Sequence, residues 1–495
     1  MKQTIKEKNI YFILCGTAVL YLLLFSPYTT LLNNYFGYDT ALWHVIGRGI
    51  TLGYVPYRDL FEHKGPLLFF IYAFSWLFEN QRLAMFALQS VCFCITLVFL
   101  YKLCRLFVEQ KKALVAILFF LLVFCGTIGE GAMSEEWSLP FIVITLYFSL
   151  KYLFEEQEKR EHPVGYGFLY GLCFGVVAMI RLNNAAPIAG VILGFLIIMV
   201  RQKKFVCILK NAAAFLAGMI IPMIPIVLWY WKEDALDYLW WGAFLFNFHY
   251  AVNAGEVQPL WELIRPWLMT LPYFVLLPFM VGEIKKQKEK RDGYLLFAVT
   301  ITATMVILMF GSSFLHYYTI LLPMLTIGFC ILAERWIKAV KKQRIVITAA
   351  LVALALPFLW QAARNAGKTI LFNTRGWYDN LEGEIRDFMR QIPEEERDSG
   401  WGNGTSFSKV FCISGITPCF PYFDNGNVHY VMDPEMNERT VEMFETNPPK
   451  WIIVATVGEA HIEAMEKYIP EKYELYDVSN GEKHLELYRL KEEQE

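Results

Sequence analysis

The chain has 495 residues, 56% of them hydrophobic and 19% charged, with a formal net charge of -2 and a pI near 6.5. Its apolar share exceeds what an ordinary water-soluble fold carries, which requires a membrane. The near-neutral charge balance supplies no basic face and excludes nucleic acid as a partner. Taken in chain order, Lys2, Lys6 and Lys8 precede an apolar run from Ile10 to Phe25. That arrangement looks like a signal peptide but lacks a small-residue cleavage site, so it reads as an uncleaved first span. Apolar stretches long enough to cross about 30 Å of hydrocarbon as helix then recur. The expected spans are residues 10–32, 83–101, 113–129, 138–154, 165–181, 185–200, 206–231, 266–283, 293–312, 316–333 and 345–362, eleven in all. Eight of the ten cysteines lie in or beside these runs and read as small buried hydrophobes.

The loops between the spans give an orientation. Basic residues gather in every second connection: Lys102 to Lys112, Lys151 to Arg160, Arg201 to Lys204, Lys285 to Arg291 and Arg335 to Arg344. The intervening connections, at Glu130 to Trp137, Asn183 to Asn184, Lys232 to Arg265 and Ser312 to Leu315, are poor in Lys and Arg. By the positive-inside rule the N-terminus is inside, and eleven spans leave the C-terminal segment outside. The run from Pro66 to Phe78 is too short to span and would reverse this pattern if counted, so it is expected as a re-entrant or interfacial helix. It belongs to a first outer loop, residues 33–82, whose length marks it as functional.

Beyond about residue 365 the character changes. Gly376 to Ile392 and Glu459 to Tyr468 read as helices, and Val410 to Ser414 and Trp451 to Thr456 as buried strands. Tyr473 to Val478 and Leu485 to Leu490 read as a hairpin turning at Ser479-Asn480-Gly481-Glu482, since Asn-Gly accepts positive φ at low cost. The expected architecture is therefore a membrane domain of residues 1–364 followed by a small extracytoplasmic α/β domain of residues 365–495. Cys412 and Cys419 fall in the latter and could pair as a disulfide outside the cell. No repeat relates the halves of the membrane part.

Ionisable residues concentrate in the outer connections. Asp39 follows the first span among aromatics, where partial desolvation raises carboxylate basicity as a general base requires; it is equally an N-cap for the helix after it. Arg58, Asp59, Glu62, His63 and Lys64 cluster within seven positions, either a solvated turn or a site. Glu135 and Glu136 stand at the mouth of a span, where unpaired acids are costly, although helix N-terminal charge also favours them there. Arg181 can snorkel to the interface or offer a fork to a phosphate. His316 and Tyr317, after Gly311-Ser312-Ser313, suit an aromatic belt as well as a site. No HExxH-type metal spacing occurs.

The stretch from Asp39 to Leu68 resembles the first outer loop of the GT-C fold glycosyltransferases related to protein O-mannosyltransferases and the lipid A aminoarabinose transferase. Asp39, Gly53, Pro56, Tyr57, Asp59, His63, Lys64, Pro66 and Leu67 match that pattern, while Thr40 replaces a usual Glu and Gly65 a usual Pro. Ser134-Glu135-Glu136 is similar to the family's second acidic loop, and His316-Tyr317-Tyr318 through Leu321-Leu322-Pro323 to a late element. The resemblance implies a GT-C-like polytopic helical protein of a bacterial plasma membrane. It would transfer a monosaccharide from a polyprenyl-phosphate carrier to a hydroxyl on a cell-envelope acceptor, lipid, glycan or protein, with inversion. Asp39 would be the base. Arg58, Lys64 and Arg181 would neutralise the donor phosphate, with Asp59, Glu62, His63, His316 and Tyr317 supporting. Glu135 and Glu136 would position the acceptor or hold a divalent metal, the one candidate cofactor. A transporter or flippase of lipid-linked sugars is the alternative; the scarcity of mid-span charge and of internal repeats weighs against it.

Overall fold

A computed structural model describes residues 6–27, 37–155, 161–253, 260–309, 314–375, 377–402, 407–425, 433–455, 462–479 and 485–492. The protein divides into two compact units. The helical unit comprises residues 1–30, 86–227 and 257–371, and the loop unit residues 31–85, 228–256 and 372–495.

In chain order the helices are α1 (Glu7–Phe25), α2 (Tyr38–Thr51), α3 (Pro66–Ser75), α4 (Gln81–Arg105), α5 (Gln110–Thr127), α6 (Ser134–Glu155), α7 (Val164–Ile180), α8 (Ala186–Arg201) and α9 (Phe205–Lys232). They continue as α10 (Leu236–Trp240), α11 (Phe246–Asn253), α12 (Leu260–Lys286), α13 (Arg291–Met309), α14 (Leu322–Lys338), α15 (Lys341–Arg375), α16 (Trp377–Met389) and α17 (Phe407–Ser414). Among the described residues nine helices are long and apolar enough to cross a membrane, and the bent pair Lys341–Leu356 and Phe358–Ala366 makes a tenth. The eleventh expected span is α7, apolar but only 17 residues long. The first ends earlier than its hydropathy suggests. Ser26 is extended because the residue before a proline is driven out of the helical region, and Pro27 follows.

Lipid tails are as apolar as leucine, so helices in such a bundle associate by close packing of small residues. Gly167, Gly171 and Gly175 recur every four positions on α7 and lie against α9; a Cβ at Gly171 would meet the Phe215 carbonyl oxygen at 1.9 Å. Gly190 and Gly194 of α8 do the same against Thr300 and Leu296 of α13.

In the loop unit, α3 is a ten-residue apolar helix opened by Pro66 at its first position, too short to span, as expected. The C-terminal strands β1 (Gly400–Trp401), β2 (Trp451–Ala455), β3 (Tyr473–Val478) and β4 (Leu485–Leu490) form one sheet in the order β1-β2-β4-β3. β1 runs parallel to β2 and the other pairs are antiparallel, with Ile453 opposite Leu487 and an irregularity between Leu475 and Asp477. Glu463–Lys472 is helical. The Asn480-Gly481-Glu482 turn and Gly311-Ser312-Ser313 lie outside the described residues. One expected strand is a helix: residues 410–414 belong to α17, whose buried Phe407, Val410 and Phe411 follow the i, i+3, i+4 spacing of a helical face. Cys412 and Cys419 are free thiols rather than a disulfide.

Candidate functional site

The loop unit builds its polar cluster around one tyrosine. Tyr57 sits at φ 69°, where a bulky residue is strained. It is held there because its hydroxyl donates to the Lys64 carbonyl at 2.6 Å and its ring packs on Gly242, where a Cβ would meet Cδ1 at 2.2 Å. Gly242 lies in a single π-helical turn, Trp241–Leu245, joining α10 to α11. Burial holds the Tyr57 hydroxyl protonated far above the ordinary phenol value. The turn that carries it closes on itself: Val55 N donates to Asp59 Oδ2 at 2.7 Å, and Asp59 N donates to the Val55 carbonyl at 2.9 Å.

This arrangement sorts the expected residues. Arg58 grips Asp59 with two donors, at 2.8 and 2.9 Å, and donates to the Glu233 carbonyl at 2.9 Å; the hydrogen bonds to Asp59 raise its already high pKa. Lys64 donates to Glu62 at 2.9 Å, and His63 lies 3.5 Å from the same carboxylate oxygen. Lys64 Nζ is 3.4 Å from His63 Nε2, so Glu62, His63 and Lys64 form one compact, largely buried group. The Asn247 side chain of α11 donates to the His63 carbonyl at 2.7 Å and fixes that segment. Sequence reasoning passed over Gly242 and Asn247 because they fall in a connection with no span-like pattern.

Asp39 occupies the second position of α2, partly exposed. It is not the N-cap. Gly37 holds that place, and Thr40, at the third helical position, accepts a hydrogen bond from the Gly37 N–H at 2.9 Å. Thr40 thus does what Glu or Gln does in a capping box, which gives a physical role to the residue that departs from the family pattern.

In the helical unit, Glu135 and Glu136 open α6 but face different partners. Glu135 is fully buried; Arg181 Nη1 donates to its Oε1 at 2.6 Å and Ser134 Oγ to its Oε2 at 3.1 Å. The Arg181 guanidinium lies 3.8 Å from the Tyr317 ring centroid, and Tyr317 packs edge-on against His316 at 4.7 Å. Four expected residues, Glu135, Arg181, His316 and Tyr317, therefore come together. The backbone preceding α6 bends through positive φ at Gly129, Gly131 and Ala132, and a Cβ on Gly129 would press on His316 at 3.3 Å. Glu136 instead accepts from Gln89 of α4 at 2.5 Å and from Met133 N at 3.2 Å. Gln89 went unremarked in the sequence, where it reads as a lone amide in an apolar run.

All four oxygens of this acid pair accept from protein donors. Among the described residues no three of His, Cys, Asp and Glu converge as a metal site.

Residues 11–349 match the sequence family described as the competence-induced protein Ccs4 N-terminal domain. The chain belongs to that family. No curated protein matches it in sequence. In fold it is similar to ArnT from Cupriavidus metallidurans bound to undecaprenyl phosphate, with a TM-score of 0.60 at 10% identity over 97% of this chain and 98% of that one. It is also similar to the archaeal oligosaccharyltransferase AglB from Archaeoglobus fulgidus. In complex with an inhibitory peptide and a dolichol-phosphate, AglB gives a TM-score of 0.54 at 12% identity over 91% of this chain and 70% of that one. In complex with zinc and sulfate it gives 0.50 at 12% identity, over 89% and 68%. The fold is that of the GT-C polytopic membrane proteins, as the first outer loop implied.

Proposed function

We propose that the protein is an inverting glycosyltransferase that moves a monosaccharide from a polyprenyl-phosphate carrier to an acceptor hydroxyl on the outer face of the membrane. The observation that carries this reading is the fold match along 97% of the chain to a protein solved with undecaprenyl phosphate. In the reaction the acceptor oxygen bonds to the anomeric carbon while its proton passes to Asp39. The bond from that carbon to the phosphate oxygen breaks, and its electron pair leaves with the polyprenyl phosphate. A phosphate leaving group needs no proton from an acid, unlike a glycoside oxygen, but it does need positive charge.

Two cations are candidates for that charge, Lys64 in the loop unit and Arg181 in the helical unit. Arg58, expected beside them, has its fork occupied by Asp59 and is assigned to holding the loop instead. Glu62 and His63 orient Lys64; Glu135 and Tyr317 orient Arg181. The acceptor is assigned to the cell envelope.

The test is reconstitution of the full chain in liposomes with a polyprenyl-phosphate sugar, following release of polyprenyl phosphate and labelling of acceptor. Asp39→Asn is expected to slow turnover by about 100-fold or more, the usual contribution of a general base. Undiminished turnover in folded Asp39→Asn protein would remove the assignment of the base.

A further inference from the structure

A half-open cavity of about 640 Å³ lies within the helical unit and takes no part in the proposed transfer. Its walls come from the α4–α5 connection, the C-terminal ends of α12 and α14 and the first turns of α13 and α15. Those are the helix ends where the basic connections gather. Glu135 and Arg181 stand at the opposite ends, since α5 starts beside the cavity and leads away from it toward α6.

The lining charge is unbalanced. Lys286, Lys290, Arg335 and Lys338 face Glu283 and Glu334, so four cations against two carboxylates leave two positive charges. Both carboxylates are already neutralised. Glu283, buried, pairs with Arg335, which also donates to the Phe279 carbonyl at 3.1 Å. Glu334 accepts from Lys112 at 2.7 Å and from Lys338 at 3.0 Å. The surplus rests on Lys286 and Lys290, the latter 5.3 Å from the Phe154 ring centroid. Apolar side chains, Phe279, Ile331, Val346 and Ile347, complete the walls on helices that read as spans. Here the lining brings cations and apolar side chains to one half-open volume.

We infer that this cavity binds the phosphate-bearing headgroup of an anionic membrane phospholipid. Basic pockets between spans at the cytoplasmic surface hold such headgroups by charge, each lysine near the surface contributing about 1 kcal/mol. The inference stands apart from the transferase reading, and neither depends on the other.

The test uses the purified full chain in detergent, with phosphatidylglycerol, phosphatidylcholine and inorganic phosphate as separate probes. Native mass spectrometry reads lipid retention and thermal unfolding reads stabilisation. Phosphatidylglycerol is expected to be retained in preference to phosphatidylcholine, and the double variant K286Q/K290Q to weaken its apparent affinity by about 30-fold. K286R/K290R, which keeps the charge, is expected to retain it. Equal retention of the two lipids by the unmodified chain, or retention of phosphatidylglycerol by K286Q/K290Q at the unmodified level, would overturn the site. Stabilisation by inorganic phosphate equal to that by phosphatidylglycerol would overturn the lipid as occupant and assign the cavity to a soluble phosphate compound.

Discussion

Arg181 shows how a single residue acquires meaning from its neighbours. In the sequence it is a cation at the end of a span, compatible with snorkelling. In the fold its guanidinium is fixed between the buried Glu135 carboxylate and the Tyr317 ring, with its side chain only 13% exposed. Removing one member of a buried ion pair leaves the other charge unpaired in a low-dielectric site, a loss of about 3 kcal/mol or more, whereas replacing both is far better tolerated. Arg181→Met is therefore expected to lower thermal stability strongly, and Arg181→Met with Glu135→Leu to recover much of the loss. Turnover measured on the double variant separates the two roles. If stability returns and transfer does not, Arg181 serves the phosphate as well as the fold; recovery of both would leave it a structural residue.

At the scale of elements, α2 behaves unlike a surface helix. Residues Thr40 to Gly49 are buried all round, including His44 and Arg48 one turn apart on the same face. Gly47 lets α2 approach α3, since a Cβ there would meet the Ala73 backbone nitrogen at 2.7 Å. Arg48 bonds to the Ile416 carbonyl, to Thr417 Oγ1 at 3.2 Å and to the Phe411 carbonyl at 3.4 Å, tying the helix that carries Asp39 to the C-terminal segment. Phe61 N adds a bond to the Pro421 carbonyl at 3.0 Å. His44 is enclosed by Tyr72 and Trp76, and burial, followed by the positive charges of Arg82 and Arg48, lowers its pKa from 6.5 to about 3. The folded value lies below the unfolded one, so folding excludes a proton. The stabilisation is complete above about 6.5 and is lost progressively as pH falls toward 3. Acidification from pH 7 to pH 5 is expected to cost about 2 kcal/mol through this residue. Thermal unfolding across that range should flatten in His44→Phe; an unchanged slope would show that other groups carry the acid sensitivity.

For the whole molecule, the alternating loop charge is the ground for proposing that the C-terminal segment lies outside, and Cys419 supplies a handle for testing this. By surface area it is an exposed free thiol, although its surroundings push its pKa up to about 12, so it reacts fully only under alkaline labelling; the cysteines of the helical runs are buried or only partly exposed. A membrane-impermeant maleimide applied to intact cells is expected to label Cys419 in a variant that retains no other cysteine. Labelling that appears only after permeabilisation would invert the proposed topology, and with it the face on which transfer takes place.

The spans, their alternating connections, the short apolar helix α3 and the strands at 451–455, 473–478 and 485–490 could be read from the sequence, because hydropathy, loop charge and period-two alternation are local properties. The first-loop pattern also marked Asp39, Glu62, His63 and Lys64 as candidates for the site. The helical nature of 407–414 escaped a five-residue window, since a helical face shows only over seven residues or more. The tertiary structure alone decided which partner each charge has. Arg58 closes on Asp59, Lys64 on Glu62 and Arg181 on Glu135, while Glu136 turns away to Gln89. It also decided that the loop bearing Asp39 packs with residues 228–256 and the C-terminal segment in one unit. The partners of Arg181 and Glu136 lie 46 and 47 positions away and Arg48 reaches Ile416 across 368, and hydrogen-bond geometry between such positions has no periodicity along the chain.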